Sequence, residues 1–295
     1  MTDAFRDVYA QSPDGLKIHA RDYAPARAID VLPVLCLPGL TRTTEDFDVL
    51  ATALANDPTA PRRVVAIDYR GRGLSDHDPD AAKYAVPVEA GDVQTIAASL
   101  GIAKAILIGT SRGGMIAMVL SATQSAMVAG VVLNDVGPAL EIGGLVRIRD
   151  YIARATLPAT WNDAVAGIKA LFARDFPNLT DADWMAWARR AYHDRDGALA
   201  RTHDAALSAA FAGIDPANPP PPMWKLFDKM ADKPLMLVHG GRSDLLSNQG
   251  VADMVTRRPD IDLVEVPDEG HAPLLADPPT MARIAAFCAR CDAKA

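Results

Sequence analysis

The stretch that decides the fold is Ala105-Ile106-Leu107-Ile108-Gly109-Thr110-Ser111-Arg112-Gly113-Gly114, continued by Met115-Ile116-Ala117-Met118. An apolar run predicts a buried strand, Gly109-x-Ser111-x-Gly113 a very tight turn, and the Ala- and Met-rich continuation a helix. Gly109 and Gly113 carry no Cβ, so strand and helix can pack closely on either side of the turn. Ser111 is then held in a strained backbone conformation with its hydroxyl at the carboxyl edge of a sheet. It also stands at a helix N-terminus, where free N–H groups and the macrodipole favour a developing negative charge. A bare Gly-x-Ser-x-Gly is a weak signal. The strand before it and the helix after it make it a strong one.

Working outward, strands and helices alternate. Val31–Leu37, Val64–Ile67 and Val128–Leu133 are continuous apolar runs that predict buried parallel strands. Between them lie helices from Thr44 to Ala55, over Val88–Leu100 and over Arg112–Gln124. At the start, Asp7–Ser12 and Leu16–Tyr23 flank Pro13-Asp14-Gly15, a hairpin signal. This rhythm implies an α/β architecture, a parallel sheet with helices on both faces. From Pro138 to Pro222 it stops. Only helical patterns are found there, over Leu145–Ala155, Trp161–Phe172, Asp181–Tyr192 and His203–Phe211, closed by a stiff proline-rich run, Pro216–Pro222. The division expected is a core of residues 1–137 and 223–295 with a helical cap, or lid, over 138–222. Alternation resumes with helix Met223–Ala231, strand Leu235–His239, helix Asn248–Arg257, strand Leu263–Val266 and helix Pro278–Ala289.

Composition narrows the class. The 295 residues, 49% hydrophobic and 23% charged, describe a globular protein with an ample core. A net charge of −7 argues against nucleic acid, which wants a basic stripe. Met1–Ala10 contains Asp3, Arg6 and Asp7 and no apolar core, so no signal peptide is expected there. No apolar run approaches a membrane span. Three cysteines suggest a reducing compartment, and a cytoplasmic location is expected. Cys288-x-x-Cys291 lacks a second pair and reads as two reduced helix thiols.

A serine hydroxyl needs a base, and the base needs orienting. Asp244 follows strand Leu235–His239 in Gly240-Gly241-Arg242-Ser243-Asp244, and His271 lies on the loop after the last strand in Glu269-Gly270-His271-Ala272. Gly270 would let that loop bend back towards Ser111. Asp244 is favoured as the acid over Asp135, which also ends a strand. His239 reads as structural, and His19, His77, His193 and His203 carry no supporting pattern. Two N–H donors are required for an oxyanion, and the Arg112 and Leu40 N–H groups are the candidates.

Four blocks, Leu37-Pro38-Gly39-Leu40, Asp68–Ser75, Gly109–Gly114 and Gly270-His271, together resemble the α/β-hydrolase superfamily in its lidded, esterase-like branch over nearly the full chain. The resemblance implies a mostly parallel eight-stranded sheet, the order Ser111…Asp244…His271, and a structural turn at Asp68–Ser75. Many relatives have His-Gly where Pro38-Gly39 stands here, but the donor N–H belongs to the next residue. The chemistry expected is hydrolysis of a small ester, thioester or lactone through an acyl-enzyme on Ser111, without cofactor or metal. The same triad also supports carbon–carbon cleavage, acyl transfer and perhydrolysis. From another class, a ligand-binding protein could keep the fold without turnover. Aspartate-nucleophile relatives are set aside because Ser111 stands in that position. An imidazole base ordinarily titrates near 6.5, so activity should fall in acid.

The partner expected is a small-molecule substrate, with neither nucleic acid nor membrane, and a homodimer is the one assembly entertained. Arg112 has two readings: substrate-binding, its guanidinium meeting an anionic group, or an ion pair with Glu45 or Asp46. Trp161, Phe172, Trp184 and Trp187 are expected to be mainly lid core, with one or two lining the substrate cavity.

Overall fold

The computed structural model describes residues 4–27, 29–153, 156–211 and 213–294. Its centre is the sheet those apolar runs build. In chain order the strands are β1 (Arg6–Gln11), β2 (Lys17–Tyr23), β3 (Val34–Leu37), β4 (Val64–Asp68), β5 (Ala105–Thr110), β6 (Val128–Asn134), β7 (Tyr192–Arg195), β8 (Ala198–Arg201), β9 (Leu235–Gly240) and β10 (Asp262–Val266). Eight of them form one sheet in the order β1-β2-β4-β3-β5-β6-β9-β10. The β1–β2 hairpin is antiparallel and joins β4 antiparallel, and from β4 to β10 every pairing is parallel. Strands β3, β4 and β5 are buried on both faces almost throughout, which is why they read as unbroken apolar runs instead of alternating ones. Strand β3 starts at Val34, after Pro33, later than the expected Val31.

Helices cover both faces: α1 (Asp48–Ala55) and α9 (Pro278–Asp292) on one, α2 (Val86–Ser99), α3 (Arg112–Thr123) and α8 (Asn248–Arg257) on the other. Each face has its own apolar core, one built on Leu35, Leu107 and Val131, the other on Cys36, Ile108 and Val132. This is the alternation of a period-two strand sandwiched between two helical layers. The thiols of Cys36, Cys288 and Cys291 are free and buried, and burial pushes those of Cys288 and Cys291 up to about 12. Among the described residues no helix is long and apolar enough to cross a membrane.

Between β6 and β9 the chain leaves the sheet. It forms α4 (Ile142–Ile152), α5 (Trp161–Phe172) and α6 (Asp181–Ala191), and after the segment it resumes with the short α7 (Trp224–Phe227). Thr160 and Thr180 close capping boxes with Asp163 and Asp183, which fixes where α5 and α6 begin. Phe172, Phe176, Trp184 and Trp187 are buried together as a separate small core, with Trp184 and Trp187 stacked at 5.6 Å. The Met223 N–H donates to the Pro138 carbonyl at 2.6 Å, so the inserted segment leaves and returns at one point.

The segment is not purely helical. Strands β7 and β8 form an antiparallel hairpin around Asp196-Gly197, both at positive φ (54° and 87°). Asp-Gly between two short runs is a strong two-residue turn signal, and the helical reading of Asp181–Tyr192 and His203–Phe211 passed over it. The second of those stretches is a 3-10 turn over Ala205–Phe211. The last two residues of the expected helix Leu145–Ala155, Arg154 and Ala155, lie outside the described residues.

Candidate active site

Ser111 sits between β5 and α3 at φ 50°, ψ −112°, a backbone region a non-glycine residue occupies only under compulsion. The compulsion comes from the two glycines. A Cβ on Gly113 would lie 1.9 Å from the Leu37 carbonyl oxygen, and one on Gly109 would lie 2.5 Å from the Gly113 backbone. Strand, turn and helix therefore pack closer than any side chain permits. The Ser111 N–H is tied to the Asn134 carbonyl at 3.0 Å, which locks the turn to β6.

His271 meets the serine. Its Nε2 lies 2.8 Å from Ser111 Oγ and its Nδ1 lies 2.7 Å from Asp135 Oδ2. Asn134 steadies the histidine loop by donating from Nδ2 to the Pro273 carbonyl at 2.8 Å. Gly270 matters differently from the expectation. Its φ is not positive; the missing Cβ leaves room for Asp175 of the inserted segment, whose Cβ would stand 2.5 Å away.

The acid is where the sequence reading is corrected. Asp244 does not touch His271. Its carboxylate is held by Arg147 of α4, with Nη2 at 2.6 Å from Oδ1 and Nε on the other oxygen. Asp135 is fully buried, accepts from the Gly240 N–H at 2.9 Å and the Ser243 hydroxyl at 2.6 Å, and faces the imidazole. The reason is topological. Asp135 follows β6, the immediate neighbour of β5 and so of Ser111, whereas Asp244 lies one strand further out and four residues past the end of β9. Of the Arg242-Ser243-Asp244 run, the serine turns inward and serves Asp135. The available signal was Asn134-Asp135 at the end of the apolar run that follows the serine strand in the sequence.

The surroundings of Leu40 and Arg112, the two residues expected to donate to an oxyanion, are equally defined. The N–H groups of Leu40 and Arg112 meet no hydrogen-bond acceptor among the described residues. The Pro38-Gly39-Leu40 loop is gripped by the Asp68–Ser75 block: the Tyr69 hydroxyl donates to the Pro38 carbonyl at 3.3 Å and Arg72 Nε to the Leu40 carbonyl at 2.8 Å. Glu89 of α2, fully buried, takes Arg72 on one oxygen and Arg112 on the other, each at 2.6 Å. Arg72 and Arg112 hold the Glu89 carboxyl below its ordinary value against a burial effect that pushes the other way.

Arg112 is thus an internal ion pair. Nε meets Glu89 and Nη2 donates to the Tyr84 carbonyl at 2.7 Å, and the residue does not line the cavity at Ser111. Its partner is Glu89, not the Glu45 or Asp46 considered from sequence, because Arg112 opens α3 on the side packed against α2. Asp46 takes Arg42 instead, at 3.1 Å. His239 is likewise occupied, between Glu265 at 2.9 Å and the Leu246 carbonyl at 3.0 Å.

The cavity that opens on Ser111 and His271 measures about 80 Å³ and is walled by Leu40, Arg42, Arg147, Tyr151, Ile152 and Phe172. Of the four aromatics singled out in the sequence, Phe172 reaches this cavity, Trp184 and Trp187 are buried, and Trp161 lies under the Arg189 guanidinium at 4.9 Å. A second recess of about 220 Å³ shares Gly39, Arg42, Thr110 and Ala272 with it and continues outward past Leu274. A hydroxyl against an imidazole, a buried carboxylate behind that, and two free N–H groups beside them can attack a carbonyl carbon and hold the resulting oxyanion.

Residues 34–284 match the alpha/beta hydrolase family. The 3-hydroxybutyrate-oligomer hydrolase of Cupriavidus necator is 36% identical over 256 residues, 84% of this chain and 85% of that one. The 2-(acetamidomethylene)succinate hydrolase of Mesorhizobium japonicum is 27% identical over 238 residues, 81% of each chain. The crystal structure of an alpha/beta hydrolase from Novosphingobium aromaticivorans superposes with a TM-score of 0.89 at 37% identity, covering 98% of this chain and 100% of that one.

Proposed function

The chain belongs to the alpha/beta hydrolase family and is a hydrolase, and from that premise we propose that it cleaves a small carboxylic ester through an acyl-enzyme on Ser111. The observation that carries this reading is the continuous line Ser111 Oγ–His271 Nε2–His271 Nδ1–Asp135 Oδ2, at 2.8 and 2.7 Å. His271 takes the serine proton as Oγ attacks the carbonyl. The negative oxygen is received by the Leu40 and Arg112 N–H groups and the positive end of the α3 dipole. Asp135 fixes the imidazole tautomer and stabilises the imidazolium without itself taking the proton. His271 then protonates the leaving alcohol, and on the return step deprotonates a water that releases the acid.

Supporting an ester is the relative of Cupriavidus necator, named for an oligomer of a hydroxy acid, which this chain matches over most of its length. A fluorophosphonate probe tests the reading. Labelling confined to Ser111, and lost in Ser111→Ala and in His271→Ala, is the expected result. An unlabelled wild-type protein would instead mark a binder that has kept the fold.

A further inference from the structure

Among the described residues, the cavity at Ser111 is lined by two arginines, Arg42 and Arg147, and by no aspartate or glutamate. Arg42 lies over the Trp187 ring at 4.3 Å and donates to Asp46. Arg147, from α4 of the inserted segment, is the one whose geometry points to a ligand. Asp244 grips it along one edge only, through Nε and Nη2, while Nη1 makes no hydrogen bond to any described residue. The guanidinium plane lies near the Phe172 ring, 5.7 Å from its centroid, so ring and carboxylate fix it in one orientation.

A guanidinium has five N–H donors, and an edge-on carboxylate uses two of them. What remains is Nη1, oriented and free of any hydrogen bond to a described residue, on an arginine that lines the reaction cavity and also feels the charge of Asp175. An arginine already pinned loses little further freedom when it takes a second anion. We propose that Arg147 binds a carboxylate of the substrate, and that the preferred substrate is a short ester bearing a free carboxylate. Asp244 is then a positioning residue for Arg147. This rests on the ester reading of Ser111. Arg147 lines the same small cavity as Ser111, so the chain between ester and carboxylate is a few carbons long.

The test uses matched pairs differing only in one charge. The first pair is 4-nitrophenyl hydrogen glutarate and its neutral methyl ester. The second is 3-(butyryloxy)butyrate and its methyl ester, which moves the carboxylate to the alcohol arm. In at least one pair the wild type should favour the charged member, and Arg147→Gln should raise KM for it by roughly 10–100-fold. The neutral member of the same pair should lose markedly less, so that the charged-to-neutral ratio of kcat/KM falls. Arg147→Lys should recover part of the loss, and Asp244→Asn should raise KM in the same direction by less. Equal losses on charged and neutral members, or a wild type with no preference, would overturn the assignment.

Protection of Ser111 from a neutral fluorophosphonate by glutarate or 3-hydroxybutyrate separates this inference from the reading beneath it. Labelling that either acid slows in the wild type, but not in Arg147→Gln, supports both. Labelling that neither acid slows overturns the carboxylate site alone. No labelling of the wild type overturns the serine hydrolase.

Discussion

Asp135 Oδ2 stands 2.7 Å from Nδ1 of His271, a contact made across 136 positions of sequence, while Asp244 is taken by Arg147. The two aspartates both follow a strand of the same sheet, so they separate cleanly by substitution. Asp135→Asn should lower turnover by about 10³–10⁴-fold, because the amide no longer favours the productive tautomer. Asp244→Asn should leave turnover of a neutral ester within a few-fold. Steady-state rates on one neutral 4-nitrophenyl ester decide it, and a reversed order would return the acid to the β9 loop.

The elbow glycines give a stability prediction with an internal control. Gly113→Ala puts a methyl group into the Leu37 carbonyl, where both sides are backbone and neither can yield. We expect it to fail to accumulate as folded protein, or to lose more than about 4 kcal/mol. On α4, a Cβ at Gly143 meets nothing within 4 Å. Gly143→Ala should therefore gain about 0.5–1 kcal/mol from helix propensity alone. Urea unfolding of the two variants measures both.

Glu89 joins the supports of the two N–H groups proposed to receive the oxyanion, taking Arg72 and Arg112 in a buried setting. Removing it leaves two guanidinium groups without their shared counter-charge. Glu89→Gln should cost about 3–5 kcal/mol of stability. It should also lower turnover, since Arg72 positions the Leu40 carbonyl and Arg112 opens α3. Thermal unfolding and kcat measured on the same preparation check the pair of effects. Unchanged stability would mean that the three side chains are not coupled.

His203 predicts how the inserted segment answers acid. Burial, then the nearby charges of Arg201 and Arg72, lower its pKa to about 4, with Asp204 opposing and His77 adding to the effect. An unfolded histidine takes up its proton near 6.5, so between 6.5 and about 4 the unfolded state binds more protons. The stability tied to neutral His203 is complete above 6.5 and drains away as pH falls through this window, by a few kcal/mol at most. Unfolding midpoints from pH 7 to pH 4 should fall less steeply for His203→Phe than for the wild type. Parallel curves would show that His203 titrates as it does in the open chain.

Much of this was legible because the signals are local and mutually consistent. The β5–Ser111–α3 unit is written in one contiguous run, and Asn248–Arg257 and Trp161–Phe172 are helices over the residues their periodicity names. His271 was readable from its place after the last strand. The acid was not, because two aspartates follow strands, and only the strand order decides which of them lies beside the serine strand. Sequence spacing carries no information on that order. The partner of Arg112 was hidden for the same reason: Glu89 lies 23 positions away on another helix. The β7–β8 hairpin is different, since Asp196-Gly197 announced it and the surrounding helical patterns outweighed it.

The central claim is covalent attachment of the acyl group to Ser111. Acid-quenching the protein during turnover of a 4-nitrophenyl ester and measuring its intact mass tests it directly. A mass gain of one acyl group, mapped to the peptide containing Ser111 and absent from Ser111→Ala, is the predicted result. Turnover with no adduct on Ser111, or turnover that persists in Ser111→Ala, would contradict it.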